Sequence, residues 1–169
     1  MKLLYVKNKN FSEKVNNEFD VLEFRPSIGK IYFKGETKSI KVTIIRIWFQ
    51  IMTFGKAKLV CAVNKTGNIM HTSYVIPKCF KFPFLNKNEY EIGPCNTIAE
   101  FRGQGVYPKV LNYITNTVGT ESTKFYMIVD SGNLSSVRGI EKAKFEKIGE
   151  IEKRGIFKRY FIKSKENEL

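Results

Sequence analysis

The sequence predicts a mixed α/β fold in which antiparallel hairpins flank a strand–turn–helix unit. Three observations carry this. Residues 97–118, TIAEFRGQGVYPKVLNYITNTV, read as a strand end, a glycine-bearing turn and a helix. Val110, Leu111, Ile114 and Val118 follow the spacing of one buried helical face. Residues 124–130, KFYMIVD, form a short apolar run that suits a buried parallel strand. Residues 58–64 with 68–76, and 147–153 with 156–163, read as hairpins around Lys65-Thr66-Gly67 and Lys153-Arg154-Gly155.

Taken in order, residues 1–7 give a first strand through Leu3, Leu4 and Val6. Residues 8–20 are polar and read as a loop with a short helix. Residues 28–33 are apolar enough for a strand or an irregular packed segment. Residues 41–54 are rich in isoleucine, and Thr43, Arg46, Gln50 and Thr53 decide their state. Spacings of three, four and three place one polar stripe on a helix, and Gly55 ends it. Its apolar residues, Trp48 and Met52 among them, are expected in the core. Residues 77–88 contain Cys79-Phe80-Lys81-Phe82-Pro83-Phe84, an aromatic loop before a strand over 90–95. Its phenylalanines either cap the core or wall a pocket, since loops on rigid scaffolds often bind ligands. Pro108 suits a helix's first turn, where its missing N–H costs nothing. The tail, 164–169, is polar and expected to fray. No repeat, low-complexity tract or linker divides the chain, so residues 1–169 are read as a single domain.

Composition narrows the function. Hydrophobic residues make up 43% of the 169, with 14 Phe and 8 Tyr, which excludes a disordered chain. No apolar run is long enough to span a bilayer, and the apolar start is too short for a signal peptide, so a cytoplasmic protein is expected. Three cysteines without a CxxC spacing and a lone histidine argue against a zinc site or a disulfide framework; no metal is expected. The formal net charge of +13 raises nucleic acid as a partner. The lysines are spread along the chain, however, which favours a solvated basic surface. Such a field also suits a polyanionic ligand.

A glycine turn leading into a helix offers free N–H groups and the positive end of the helix dipole, a site for a phosphate. The Walker pattern fails, because Tyr107-Pro108-Lys109-Val110 replaces its Gly-Lys-Ser/Thr end. The dinucleotide fingerprint begins at Gly103 and Gly105 but meets Pro108 where its third glycine belongs. Arg102-Gly103-Gln104-Gly105-Val106-Tyr107 fits Arg/Gln-x-x-Gly-x-Gly/Ala, and resembles the acetyl-CoA pyrophosphate loop of the GNAT acetyltransferases. Tyr107 departs from the small residue of that pattern. Downstream, Asn133, Ser136, Lys142 and Phe145 fall at the spacings of Asn-x-x-Ser/Ala-x-x-x-Tyr-x-Lys-x-Gly-Phe, the next element of the family. Ile140 replaces its tyrosine and Lys144 its glycine. Both blocks occur in the family's order and separation, and the resemblance covers about 90–162.

The resemblance implies a mixed, mostly antiparallel central sheet of about seven strands flanked by helices, with acetyl-CoA where the fourth and fifth strands splay. The cofactor would meet the loop Arg102 to Tyr107, run beside Asn96, Thr97 and Ile98, and touch Asn133, Ser136 and Lys142. The reaction implied is direct acetyl transfer to an amine in a ternary complex, which removes much of the entropic barrier. The amine must lose a proton before attack. His71 is the first candidate base, since an unperturbed imidazole titrates at about 6.5. The nearby carboxylates are Glu89, Glu91, Glu100 and Asp130, and Glu91, Asp130 or a solvent chain comes next after His71. Ile140 cannot donate a proton, so either no dedicated donor is needed, a thiol being a tolerable leaving group as its anion, or Cys95 or Tyr107 donates instead, or the protein is inactive. The acceptor pocket is expected beside Cys95, Thr97, His71, Tyr74, Phe82 and Phe84. The segments IGPCNTIAEFRGQGVYPKVL and SVRGIEKAKF look like members linked to surface-polysaccharide and amino-sugar biosynthesis. They imply a small-molecule amine acceptor, with an amino sugar, free or nucleotide-linked, as the leading class. A protein or peptide amine, or a non-catalytic basic module for CoA or nucleic acid, is the alternative. A homodimer is compatible with all of these.

Overall fold

The structure, a computed structural model, describes residues 1–9, 19–27, 29–33, 36 and 38–163. The elements are β1 (Lys2–Asn8), β2 (Asp20–Phe24), α1 (Ile40–Met52), β3 (Lys58–Val63), β4 (Ile69–Pro77), β5 (Glu89–Thr97), α2 (Val106–Thr117), β6 (Lys124–Asp130), α3 (Leu134–Lys142), β7 (Glu146–Arg154) and β8 (Arg159–Ile162). A single 3₁₀ turn, Ala99–Phe101, links β5 to the glycine loop. The strands form one sheet in the order β2-β3-β4-β5-β6-β1-β7-β8. All pairs are antiparallel except β5 with β6, which run parallel. The expected mixed, mostly antiparallel sheet is therefore present, with eight strands among the described residues in place of about seven.

Two apolar clusters cover the two faces. Val106, Val110, Leu111, Ile114 and Val118 of the α2 segment pack with Leu3, Val60, Phe125 and Met127 on one. The spacing read from the sequence is the face that is buried. The helix begins at Val106, two residues ahead of Pro108, because Gly105 in the left-handed region turns the chain into it. Each of these branched side chains contributes about 1.5–3 kcal/mol through burial. Leu4, Leu59, Ile76, Phe82, Leu85 and Tyr160 form the other cluster.

Three expectations need correction. The strand β2 was missed, because DVLEF has no clean alternation: Val21 is half-buried, Leu22 and Glu23 are exposed, and only Phe24 is fully inside. That pattern belongs to an edge strand with one partner, here β3. The second hairpin turns over Gly155 to Lys158, starting two residues past the expected site, so Lys153 and Arg154 stay in the ladder opposite Tyr160 and Arg159. The third concerns α1. It is a helix, and the Gly55 N–H closes onto Gln50 O at 2.8 Å as a C-terminal cap should. Its polar stripe, however, faces inward. Arg46 is 2% exposed and pairs with Glu36 (N–O 2.5 Å), donates from Nε to Tyr74 Oη at 2.9 Å, and reaches Ile31 O at 2.7 Å. Thr53 is buried too and caps Phe49 O. Phe49 does join the core, but Ile44, Ile45, Ile51 and Trp48 are exposed. Periodicity finds the stripe; it does not say which side meets the protein when the buried charge has its own partners.

The segment 28–33 is irregular over its described residues, with a bridge between Ser27 and Lys30. The loop expected over 8–20 lies mostly, and the frayed tail wholly, outside the described residues. No helix among the described residues is long and apolar enough to cross a membrane.

Candidate functional site

The site begins where β5 and β6 part. Their parallel pairing runs only from Glu89↔Lys124 to Glu91↔Tyr126, although β5 continues to Thr97 and β6 to Asp130. Gly93-Pro94 explains the break. Pro94 has no N–H to give to a ladder, and the β4–β5 register shifts here, with Val75 opposite Ile92 but Ser73 opposite Cys95. A wedge opens between the two strands, and Glu91 stands at its apex. The Glu91 carboxyl folds back over Gly93, where any Cβ would meet Oε1 at 2.7 Å. Its Oε2 is buried with no hydrogen-bond partner. Burial in this apolar wedge raises its pKa from an ordinary 4.5 to about 8, with the Lys81 charge opposing.

Beyond β5 the chain makes the 3₁₀ turn and the loop Arg102 to Gly105. Gly103 and Gly105 have φ of +78° and +74°, which a residue with a Cβ adopts only at a cost. A Cβ on either would meet nothing within 4 Å, so both glycines border open space. Among the described residues, no acceptor takes the N–H groups of Gly103, Gln104, Gly105, Val106 or Tyr107. Arg102 is braced by its Nε donating to Thr97 O at 3.1 Å, and Gln104 by its side chain donating to Glu100 O at 2.9 Å.

Two cavities flank this frame. One, of about 480 Å³, lies over the glycine loop and is bordered by Asn96, Thr97, Arg102, Gly103, Gly105 and Val106, and by Asn133, Ser136 and Lys142 of the α3 segment. The second, of about 430 Å³, opens into the β5–β6 wedge and is bordered by Glu91, Trp48, Phe82 and Tyr160. Cys95, Tyr107, Asn133 and Ser136 border both, so the cavities meet at one wall.

Tyr107 fills that wall. Its ring lies against Gly139, where a Cβ would come within 2.5 Å of Cδ1, and 5.3 Å from the His71 ring. Its hydroxyl sits beside Cys95 and donates to Met127 Sδ at 4.0 Å. Burial holds this phenol well above its ordinary pKa, so it stays protonated. Ile140, in the next position along α3, is 1% exposed and serves as apolar backing. The site thus carries its tyrosine on α2 and its aliphatic residue on α3.

His71 is 1% exposed. Its Nδ1 pairs with Thr97 Oγ1 and its Nε2 with Ser73 Oγ, both at 2.7 Å. Burial pushes the imidazole down to about 4, so the expectation of an ordinary titration near neutrality does not hold. It is a neutral, doubly bonded strut on the β4–β5 ladder. Cys95 accepts from Ser73 Oγ at 3.2 Å, and desolvation pushes its thiol up to about 12. A thiol in that state is no nucleophile.

The other carboxylates are committed. Glu89 accepts from Asn86 N at 2.7 Å and Tyr126 Oη at 3.3 Å, Asp130 is paired with Lys2 at 2.8 Å, and Glu100 is exposed. Asn133 caps α3, its Oδ1 accepting from Ser136 N at 3.2 Å and Ser135 Oγ at 3.1 Å, so only its amide N–H groups remain to face a ligand. Ile98 and Gln104 do not border the loop cavity. Tyr74 and Phe84 pack inside, against Phe49 and Tyr126, and border neither cavity. Sequence reading missed Arg138, which stands four residues before Lys142 and borders the loop cavity with it. That spacing puts two cations on one helical face, a signal open to inspection.

No protein-family model and no curated protein matches the sequence. Solved structures do. An acetyltransferase of the GNAT family from Colwellia psychrerythraea superposes with a TM-score of 0.60 at 16% identity, covering 86% of this chain and 52% of its own. The fold is GNAT-like. A conserved protein of unknown function from Staphylococcus epidermidis superposes with a TM-score of 0.54 at 12% identity, covering 87% of this chain and 57% of its own. At these identities the likeness is one of fold, and this chain spans little more than half the length of either structure.

Proposed function

We propose that this protein transfers an acetyl group from acetyl-CoA to a primary amine. The observation that carries the proposal is the buried carboxyl of Glu91, its Oε2 unpaired, at the apex of a wedge that opens beside a loop with five N–H groups unpaired among the described residues. The loop fits a diphosphate: its glycines leave room for close approach, its N–H groups lie at the start of α2, and Arg102, Arg138 and Lys142 supply positive charge around the same cavity. When bound there, acetyl-CoA supplies the acyl group as an activated thioester.

Glu91 takes the proton of the incoming ammonium, and its raised pKa matches it to an amine near neutral pH. Tyr107 keeps its proton on the phenol oxygen and offers an O–H donor at the wall shared by the cavities. His71 and Ser73 hold Thr97 and Cys95 in line on β5. Because the Cys95 thiol stays protonated, transfer is direct, without an acyl-cysteine.

For the acceptor we propose an amino sugar, nucleotide-linked forms included, seated against the aromatic side of the wedge. A second reading, a lysine side chain of a peptide, is favoured by one observation: a lysine of this chain already lies among those rings. The test is calorimetry with acetyl-CoA, followed by turnover against amino sugars, their nucleotide-linked forms and lysine peptides. Absence of acetyl-CoA binding sinks the proposal; binding without turnover of any amine leaves a CoA-binding module.

Tyr107→Phe removes the donor and keeps the ring that rests on Gly139. We expect kcat to fall about tenfold with acetyl-CoA affinity unchanged, since the lost interaction is one hydrogen bond of about 1–2 kcal/mol. Unchanged kcat would mean that Tyr107 only fills space.

A further inference from the structure

Lys81 comes from the aromatic loop before β5, and its ammonium lies inside the wedge. Four rings surround it: Trp48 at 4.9 Å, Phe49 and Phe82 at 5.6 Å each, and Tyr160 at 5.8 Å from Nζ to the ring centres. Such faces hold an ammonium by their quadrupoles. Among the described residues, no hydrogen bond or ion pair engages this Nζ. The charged and titratable groups acting on it are Glu91, Lys153 and Cys79. Glu91 borders the same cavity, with Oε2 buried and unpaired. A primary amine and a carboxyl with one unpaired oxygen therefore face one cavity that meets the glycine-loop cavity at Tyr107 and Cys95.

We infer that Lys81 is itself an acetyl acceptor: the protein acetylates its own Lys81 from acetyl-CoA. This rests on the transfer reading above. Glu91, in its ionised form, takes a proton from the Lys81 ammonium. The freed lone pair forms an N–C bond to the acyl carbon, and the C–S bond breaks with its electron pair staying on sulfur. Of the two protons the nitrogen loses, one ends on sulfur and the other leaves through Glu91 to solvent. The products are Nε-acetyl-lysine and free CoA thiol, with no change of oxidation state. Desolvation lowers the Lys81 pKa, which raises the fraction of reactive neutral amine relative to the surface lysines.

The experiment incubates the full chain with acetyl-CoA and follows it by intact mass, peptide mapping and calorimetry. We expect one acetyl group on Lys81, added at least about tenfold faster than on any other lysine, and slowed about tenfold or more in Glu91→Gln. A second readout needs no turnover. Trp48 is the sole tryptophan, so its emission reports the cage. Lys81→Met should shift that emission in the protein alone, and acetylation of the wild type should shift it in the same direction. If acetyl-CoA binds but Lys81 is modified no faster than the other lysines, the inference falls and the cofactor reading stands. If acetyl-CoA does not bind, both fall. If Lys81→Met leaves Trp48 emission unchanged, the cage is not formed and the inference falls regardless of mass.

Discussion

Glu91→Gln is expected to lower kcat/KM by about 10²- to 10³-fold while leaving acetyl-CoA affinity intact, the loss typical of removing a general base. The substitution keeps shape and removes only the proton acceptor. In the wild type, kcat/KM should climb with pH and level off above about 8, because burial holds the carboxyl protonated up to that point. The variant should lose this limb. A stability effect of opposite sign accompanies it. Between the ordinary value of 4.5 and about 8, the folded protein holds a proton at Glu91 that the unfolded chain has released. Wild-type stability therefore falls as pH rises through that window and levels off beyond it. The glutamine variant has no such slope, so its melting temperature should exceed that of the wild type at pH near 8 and approach it at pH near 4. Retention of both the rate and the limb would remove Glu91 as the base.

Gly105→Val is expected to weaken acetyl-CoA binding by about 10- to 100-fold, through loop strain of about 1–3 kcal/mol and loss of the open space above the backbone. Gly105 has φ of +74°, and the added side chain would enter the cavity over the loop. The control is Gly67→Val in the β3–β4 turn. Gly67 has φ of +82° and likewise meets nothing within 4 Å, but it lies outside that cavity. Both variants should lose comparable stability, and only Gly105→Val should lose the rise in melting temperature that the cofactor brings. Equal loss of binding in both would point to global damage and against the loop as the site.

What could be read in the sequence was whatever is determined by neighbouring residues. The loop Arg102 to Tyr107 was legible because its turn needs glycine at Gly103 and Gly105. The face of α2 was legible because Val110, Leu111, Ile114 and Val118 repeat at helical spacing. The hairpin around Gly67 announced itself in the same local way. The aromatic cage did not, because Trp48, Lys81 and Tyr160 belong to three distant segments and meet only through the sheet. Nor did the inward turn of Arg46, since its partners Glu36 and Tyr74 lie on either side of it in the chain. His71 was read as an ordinary imidazole, because a sequence shows the residue and not its desolvation.

The position of β1 has a consequence for how the chain folds. It lies between β6 and β7, and Lys2 pairs with Asp130, 128 residues away. Hairpins such as β3–β4 close through short loops, but β1 has no partner until β6 has been made, and it is not enclosed until β7 follows. Closing so long a loop forfeits chain entropy before any ladder bond returns it. Sheets dominated by such distant pairings fold slowly. The register of β6, which forms one side of the wedge, is therefore held on its other edge by the last contacts to form. A chain shortened before β7 would leave β1 with one neighbour and one bare edge, and bare edges recruit other strands.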